Sequence, residues 1–312
     1  MKAKPNYTDL LSQFQKGDLR ALGKLISLAE NLDPAVYEVL EKTFKPSKQS
    51  KVFGVTGVPG AGKSSLLSGF IRCIREQNQK VAVVAVDPVS PFSGGSILGD
   101  RIRLTSHFND PEVYIRSLST RGRLGGISLA TEQAVHLLMA FGFDWILVET
   151  VGVGQSEVDI RNIADLTTVV LVPEWGDSIQ ALKSGIIEIG DLFIVNKADR
   201  EGAQKIVSEL ENTLQLSGRS DIKVLPTTAL EPLQVAEVFK AIQDLFEEKT
   251  SFIEGKRKNR TLGTAREVIK LYLDQELETW ITGEQSLQQN PNPYLSIQSF
   301  LKKYPAGSLF KK

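Results

Sequence analysis

The sequence predicts an α/β protein in which a mainly parallel sheet of about seven strands is flanked by helices. Short continuous runs of β-branched and aliphatic residues alternate with stretches whose apolar residues recur at helical spacing. A strand that is apolar along its whole length is buried on both faces, so these runs indicate a parallel sheet covered by helices. Additional helical segments precede and follow this core.

The elements divide the chain into an N-terminal helical segment (residues 1–50), a core (51–248) and a C-terminal helical extension (249–312). Within the first segment, Asp33 is expected to cap a helix and Pro34 to occupy its first position. In the extension we expect an exposed basic stretch at Glu254–Arg260, and then an amphipathic helix ending near Trp280. The predicted strands are Val52–Thr56, Val81–Val86, Val113–Ser117, Trp145–Glu149, Thr167–Val172, Leu192–Val195 and Ile222–Pro226.

The composition favours small-molecule or protein partners. The 37 basic and 37 acidic residues cancel, which leaves no electrostatic footprint for nucleic acid or an anionic membrane surface. The single cysteine, Cys73, excludes an internal disulfide framework and is expected to be a buried apolar residue. No apolar run approaches the roughly 20 residues that span a bilayer, and no signal-peptide core follows the first residues. We therefore expect a cytoplasmic protein.

A phosphate-binding loop is predicted between the first strand and the helix that follows it. GVPGAGKS fits the pattern G-x-x-x-x-G-K-[ST], whose glycines let successive backbone N–H groups surround a β-phosphate. In this pattern Lys63 reaches the β- and γ-phosphates, and the hydroxyl of Ser64 ligates Mg²⁺. The predicted phosphate site comprises Gly57, Val58, Pro59, Gly60, Ala61, Gly62, Lys63, Ser64 and Ser65.

Acidic residues after two further strands are candidates for the metal site. One strand ends at Glu149, and an acid there reaches Mg²⁺ through water while the N–H of Gly152 meets the γ-phosphate. Asp87 follows another strand, and Asp100 stands after a SGGS segment; two carboxylates near a hard cation suit Mg²⁺. Two alternatives stay open, because Glu149 also fits a strand-end turn and Asp100 a helix N-cap.

The segment NKAD after the sixth strand predicts recognition of guanine. The carboxylate of Asp199 can accept hydrogen bonds from N1–H and the 2-amino group of guanine, whereas adenine has neither donor. Asn196 and Lys197 would hold the loop and cover the ring, although an N-capping Asn in a surface turn is the alternative. The segment PTTAL ends the next strand and could close over the base through Thr227, Thr228 and Ala229.

Several long motifs resemble one family of GTPases. VDPVSPFSGGSILGDRIRL, YIRSLSTRGRLGG, LVETVGVGQSEVDI and VPEWGDSIQALKSGIIEIGDLFIVNKAD together resemble the MeaB/ArgK-type P-loop GTPases, from about residue 8 to the C-terminal helices. The resemblance implies the P-loop NTPase fold and a GTP-dependent chaperone of an adenosylcobalamin-dependent acyl-CoA mutase, chiefly methylmalonyl-CoA mutase. It also implies gating of cofactor loading, protection or reactivation of the mutase, and a homodimer formed through the C-terminal extension.

The resemblance also assigns residues. It places four oxygen-bearing side chains around Mg²⁺, and it makes Pro173–Lys183 a mobile segment that couples nucleotide to the mutase. This chain has PEWGD where many relatives have PGAGD, so Trp175 is either an anchor for the partner or a side chain packed under the loop. The implied magnesium ligands are Ser64, Asp87, Asp100 and Glu149.

The expected reaction is in-line attack of water on GTP, with slow turnover in the isolated protein. Lys63 would stabilise charge, and the residue that positions the water is left open among Gln155, Asp87, Asp100 and Lys183.

Two other functions are alternatives to GTP-dependent assistance of a mutase. Nickel insertion usually needs Cys and His clusters, but His107 and His136 are far apart in sequence. An ATP-dependent kinase linked to amino-acid transport is disfavoured by NKAD.

Overall fold

The computed structural model describes residues 7–45, 50–87, 104–119, 126–150, 156–173 and 187–283. The strands in these ranges are β1 (Lys51–Gly57), β2 (Val81–Asp87), β3 (Val113–Ser119), β4 (Trp145–Thr150), β5 (Leu166–Leu171), β6 (Leu192–Asn196) and β7 (Val224–Thr227). All neighbouring strands pair in parallel, in the order β3-β2-β4-β1-β5-β6-β7. The predicted α/β class with a seven-stranded parallel sheet is therefore confirmed.

Helices cover both faces of this sheet. Those in the described ranges are α1 (Tyr7–Gln15), α2 (Leu19–Glu30), α3 (Ala35–Thr43), α4 (Lys63–Glu76), α5 (Gly126–Phe141), α6 (Ser156–Ile163), the single turn α7 (Ile187–Ile189), α8 (Ala203–Leu216), α9 (Pro232–Glu248) and α10 (Thr250–Gly283). Helix α3 begins at Ala35, one residue later than predicted. Asp33 still caps it, because its carboxylate accepts the N–H of Ala35 at 2.9 Å.

The two faces of the sheet carry separate hydrophobic clusters. On one face, Trp145 and Phe53 pack with α4 and α9, and the ring of Trp145 lies 5.2 Å from that of Phe239 and 5.3 Å from that of Phe246. On the other face, α1, α2 and α3 pack with α5 and α6 over Ile146 and Val148. Cys73 packs at the edge of the first cluster and is half-buried, less than the full burial expected from the sequence.

Three aspartates each stand directly before a strand, and the carboxylate of each accepts a hydrogen bond from a backbone N–H near the start of the neighbouring strand. Asp144 accepts from the N–H of Lys80 at 2.8 Å, Asp165 from that of Val52 at 2.9 Å, and Asp191 from that of Thr167 at 3.0 Å. Amino-terminal strand residues have N–H groups that the sheet ladder leaves unpaired, so these carboxylates satisfy donors at the edge opposite the phosphate loop.

The expectation of an exposed basic stretch at Glu254–Arg260 is wrong in part. These residues belong to α10, and Arg257 and Arg260 both bind the carboxylate of Asp165, which is fully buried. Burial by itself would raise the pKa of Asp165, but the hydrogen bond from Arg257 and the two positive charges bring the pKa below its ordinary value. A buried carboxylate thus anchors the first turns of α10 to the sheet.

The chain forms two compact units, Met1–Arg260 and Thr261–Lys312. In the second unit, α10 continues to Gly283 and carries large apolar side chains exposed to solvent. Within the described residues no helix is both long enough and apolar enough to cross a membrane.

Candidate nucleotide site

The phosphate loop has a backbone that only glycine accommodates well. Gly57 has φ +136° and Gly62 has φ +82°, both in the left-handed half of conformational space. A Cβ atom on Gly57 would lie 2.1 Å from the carbonyl oxygen of Val170, because β1 runs tightly against β5 here. The ammonium of Lys63, the first residue of α4, donates to the carbonyl oxygens of Gly57 at 2.8 Å and Val58 at 3.1 Å. Lys63 is therefore held at the opening of the loop.

Ser64 and Glu149 form a buried pair beside this loop. The hydroxyl of Ser64 donates to Oε1 of Glu149 at 3.0 Å, although the two residues are 85 positions apart. The contact arises because β1 and β4 are neighbours, so the helix after β1 begins next to the end of β4. A hydroxyl and a carboxylate are hard oxygen donors of the kind that Mg²⁺ takes, in small number, from proteins. The two side chains fit a magnesium site and could hold the ion.

Asn196 connects the phosphate loop to the loops predicted to bind the base. It is the last residue of β6 and is buried; its Nδ2 donates to the carbonyl oxygen of Ala61 at 2.7 Å. Its Oδ1 accepts the N–H of Ala229 at 2.9 Å. A Cβ atom on Gly62 would lie 2.3 Å from Asn196 Nδ2, so the glycine also allows this close approach. One amide thereby joins three segments that are distant in sequence.

Asp199 stands at the exposed end of the same assembly. The hydroxyl of Thr228 is 3.4 Å from Oδ1 of Asp199, and the N–H of Ala198 donates to the carbonyl oxygen of Thr227 at 3.0 Å. Lys197 directly follows β6 and has φ +58°, so the chain turns sharply at this residue. The structure thus brings NKAD and Thr227–Ala229 together, as the sequence predicted.

One residue of this assembly was not anticipated from the sequence. Gln234, in the first turn of α9, accepts the N–H of Thr228 at 2.7 Å through its Oε1. No motif distinguishes it from other exposed glutamines of amphipathic helices, so the only available signal was its short distance in sequence from PTTAL.

Several predicted site residues lie outside the described part of the chain. These are Asp100, Gly152, Gln155 and Lys183, together with Trp175 in the expected coupling segment. Asp87 is the last residue of β2, and its side chain is also outside the described part. Their roles stay predictions.

Each of the two histidines contacts a side chain of the protein itself. Nε2 of His107 lies 2.8 Å from the hydroxyl of Ser68, and the ring of His136 packs 4.5 Å from that of Phe44. Burial lowers the pKa of both imidazoles, that of His136 to about 4.

Comparison with known proteins adds independent evidence. A protein of Pyrococcus horikoshii named as a GTPase is 39% identical over 308 residues, which cover 95% of this chain and 97% of that protein. The mitochondrial methylmalonic aciduria type A homolog of Caenorhabditis elegans is 33% identical over 265 residues, covering 78% of this chain and 66% of that protein.

A crystal structure described as a LAO/AO transport system kinase has a TM-score of 0.67 and 23% identity, and covers 99% of this chain and 97% of its own; this similarity concerns the fold. The family model described as methylmalonyl-CoA mutase-associated GTPase MeaB matches residues 22–282. Because this family model spans most of the chain, and because the phosphate loop, the Ser64–Glu149 pair and the NKAD loop meet at one edge of the sheet, this chain belongs to the MeaB family of GTPases.

Proposed function

We propose that this protein is a Mg²⁺-dependent GTPase that serves as a chaperone for an adenosylcobalamin-dependent acyl-CoA mutase, chiefly methylmalonyl-CoA mutase, in cofactor loading, protection and reactivation. The nucleotide-binding part of this proposal rests on two hydrogen bonds of the Asn196 side-chain amide. They join the phosphate loop at Ala61 to Ala229, in the segment predicted to close over the base. The family model and the name of the C. elegans relative support the mutase part.

The residues divide the work of binding and hydrolysis. The backbone N–H groups of the phosphate loop and the ammonium of Lys63 would bind the β- and γ-phosphates and stabilise the charge that develops during attack by water. Ser64 and Glu149 would hold the magnesium ion, which neutralises phosphate charge when bound. Asp87, Asp100, Gln155 and Lys183 stay candidates for positioning the water. Asp199 would select guanine.

We also propose that the protein is a homodimer formed through its C-terminal extension. In the second unit, α10 exposes a set of large apolar side chains, Leu262, Ile269, Tyr272, Leu273 and Leu277, at a helical spacing that places them along one stripe. A stripe of this kind is costly in water and is usually covered by another protein surface.

The partner is tested by co-purification with purified adenosylcobalamin-dependent mutases in the presence of GDP or of a non-hydrolysable GTP analogue. We expect a complex with an acyl-CoA mutase whose yield depends on the nucleotide, and faster GTP hydrolysis when the mutase is present. Fast hydrolysis by the isolated protein, unchanged by every mutase offered, would contradict the chaperone proposal. Asp199→Asn is the matched control, because it should abolish the nucleotide dependence with GTP.

A further inference from the structure

Two buried threonines join β1 and β4 just before the phosphate loop. Thr150 Oγ1 donates to Thr56 Oγ1 at 2.8 Å, and the residues are 2% and 0% exposed. Thr56 directly precedes Gly57, the first glycine of the loop, and Thr150 directly follows Glu149. This bond therefore lies between the strand that enters the phosphate loop and the strand that carries a proposed magnesium ligand.

The bond stands where the backbone ladder between these two strands ends. The last partner pair of β1 and β4 in the described strands is Val55 with Glu149. Beyond it, β1 continues to pair with β5 as far as Gly57, and β4 continues to pair with β2 as far as Thr150. At the next residue, the hydroxyl bond between the threonines connects the two strands in place of the ladder.

The threonine bond and the Ser64–Glu149 bond lie on opposite faces of the sheet. Successive side chains of a strand point to opposite faces, so Thr150 points away from the face that Glu149 shares with α4. One hydrogen bond on each face then joins the β1–α4 segment to the end of β4. Both bonds therefore tie the end of β4, which carries Glu149, to the segment that carries Ser64.

We propose that Thr56 and Thr150 are positioning residues which hold Glu149 against Ser64 and thereby set the affinity for the divalent cation that binds with the nucleotide. The inference rests on the proposed function, because it assumes that Ser64 and Glu149 hold that cation. Neither threonine is a ligand in this proposal. Both act through the position of the end of β4.

The test measures how fast a fluorescent GDP analogue dissociates as the Mg²⁺ concentration is varied. Thr150→Val removes the hydroxyl at nearly constant shape and leaves Thr56 buried without its partner. We expect the Mg²⁺ concentration that half-protects the nucleotide to rise by about fivefold or more, the size expected for one buried hydrogen bond. Thr150→Ser keeps the hydroxyl and should restore the wild-type midpoint.

Thr167→Val is the matched control. Thr167 lies on β5, is fully buried, and its hydroxyl has no hydrogen-bond partner in the described part of the chain. Removing that hydroxyl should leave the Mg²⁺ midpoint within about twofold of the wild-type value. If Thr150→Val and Thr167→Val shift the midpoint equally, or if neither shifts it, the positioning role is wrong.

Two further variants keep the result interpretable. If Thr150→Val does not fold, the double variant Thr56→Val with Thr150→Val has no orphaned hydroxyl and should fold; its midpoint must still lie above that of the wild type. Ser64→Ala distinguishes failure of the proposed cation site from failure of the positioning role of the threonines. An unchanged midpoint in Ser64→Ala would overturn the proposed cation site itself, whereas a shift in Ser64→Ala without one in Thr150→Val would overturn only the positioning role.

Discussion

Asn196 Nδ2 lies 2.7 Å from the carbonyl oxygen of Ala61, so a side chain at the end of β6 holds the phosphate loop from the side of the loops predicted to bind the base. Asn196→Ala would leave two backbone groups without this partner, the carbonyl of Ala61, which is buried, and the N–H of Ala229, which is half-buried. We expect GDP affinity to fall by at least about tenfold, which calorimetric titration would measure. Asn259→Ala, at an exposed position of α10, is the control and should bind as the wild type does.

The specificity of the base site is tested at Asp199. Asp199→Asn replaces an acceptor pair with an amide that can donate to the 2-carbonyl of xanthine, so GTP binding should weaken by at least about tenfold while xanthosine triphosphate binding improves. Competition between the two nucleotides gives the ratio directly. An unchanged ratio would show that Asp199, whose side chain is exposed in this structure, does not select the base.

The first glycine of the phosphate loop should not tolerate a side chain. In Gly57→Ala the new Cβ atom would meet the carbonyl oxygen of Val170 at 2.1 Å, and φ is +136°. We expect a loss of roughly 3 kcal/mol or more in the free energy of unfolding, measured with denaturant. Gly255→Ala makes the matched comparison, because its Cβ atom meets nothing within 4 Å and a helical alanine should stabilise α10 by roughly 0.5–1 kcal/mol. Equal stabilities would contradict this account.

The stability of the fold should depend on pH through His136. Burial, with a smaller effect from the charge of Arg260, lowers the pKa of its imidazole to about 4, whereas the unfolded chain titrates near 6.5. The neutral ring is thus favoured by folding. The contribution of this neutral ring to the free energy of unfolding is complete above a pH of about 6.5. It is lost as the pH falls toward 4, and the total loss is roughly 2–3 kcal/mol.

His136→Gln removes this titration, and thermal unfolding between pH 4 and pH 7 would measure the difference. The variant should lose less stability across that window than the wild type does. His107 is retained in both proteins, so its own lowered pKa cancels in the comparison. Parallel curves would assign the pH dependence to other groups.

The parts of the structure that local patterns describe were predictable from the sequence. Burial on both faces makes each strand apolar along its length, so the predicted strands agree with the observed ones to within about two residues at most ends. The phosphate loop was recognisable for a similar reason, because its glycines, Lys63 and Ser64 are consecutive in sequence and their geometry is local.

Contacts between distant residues were not predictable in this way. The sequence alone predicts an exposed Arg257, because its counter-charge, Asp165, lies 92 positions earlier and meets it only after folding. The bond between Thr56 and Thr150 has the same character, since a single hydroxyl in an apolar strand has no periodic signal. In the candidate site, the sequence predicts the groups that would bind the nucleotide, whereas the side chains that hold these groups in place emerge only from the structure.

The anchoring of α10 by Asp165 determines where the protein can be shortened. A fragment ending at Glu248, the predicted end of the core, would lack Arg257 and Arg260, the two guanidinium groups that bind the carboxylate of Asp165. It would also lose the first turns of α10, which these contacts hold against the sheet. The smallest stable nucleotide-binding fragment of this chain is therefore expected to end beyond Arg260.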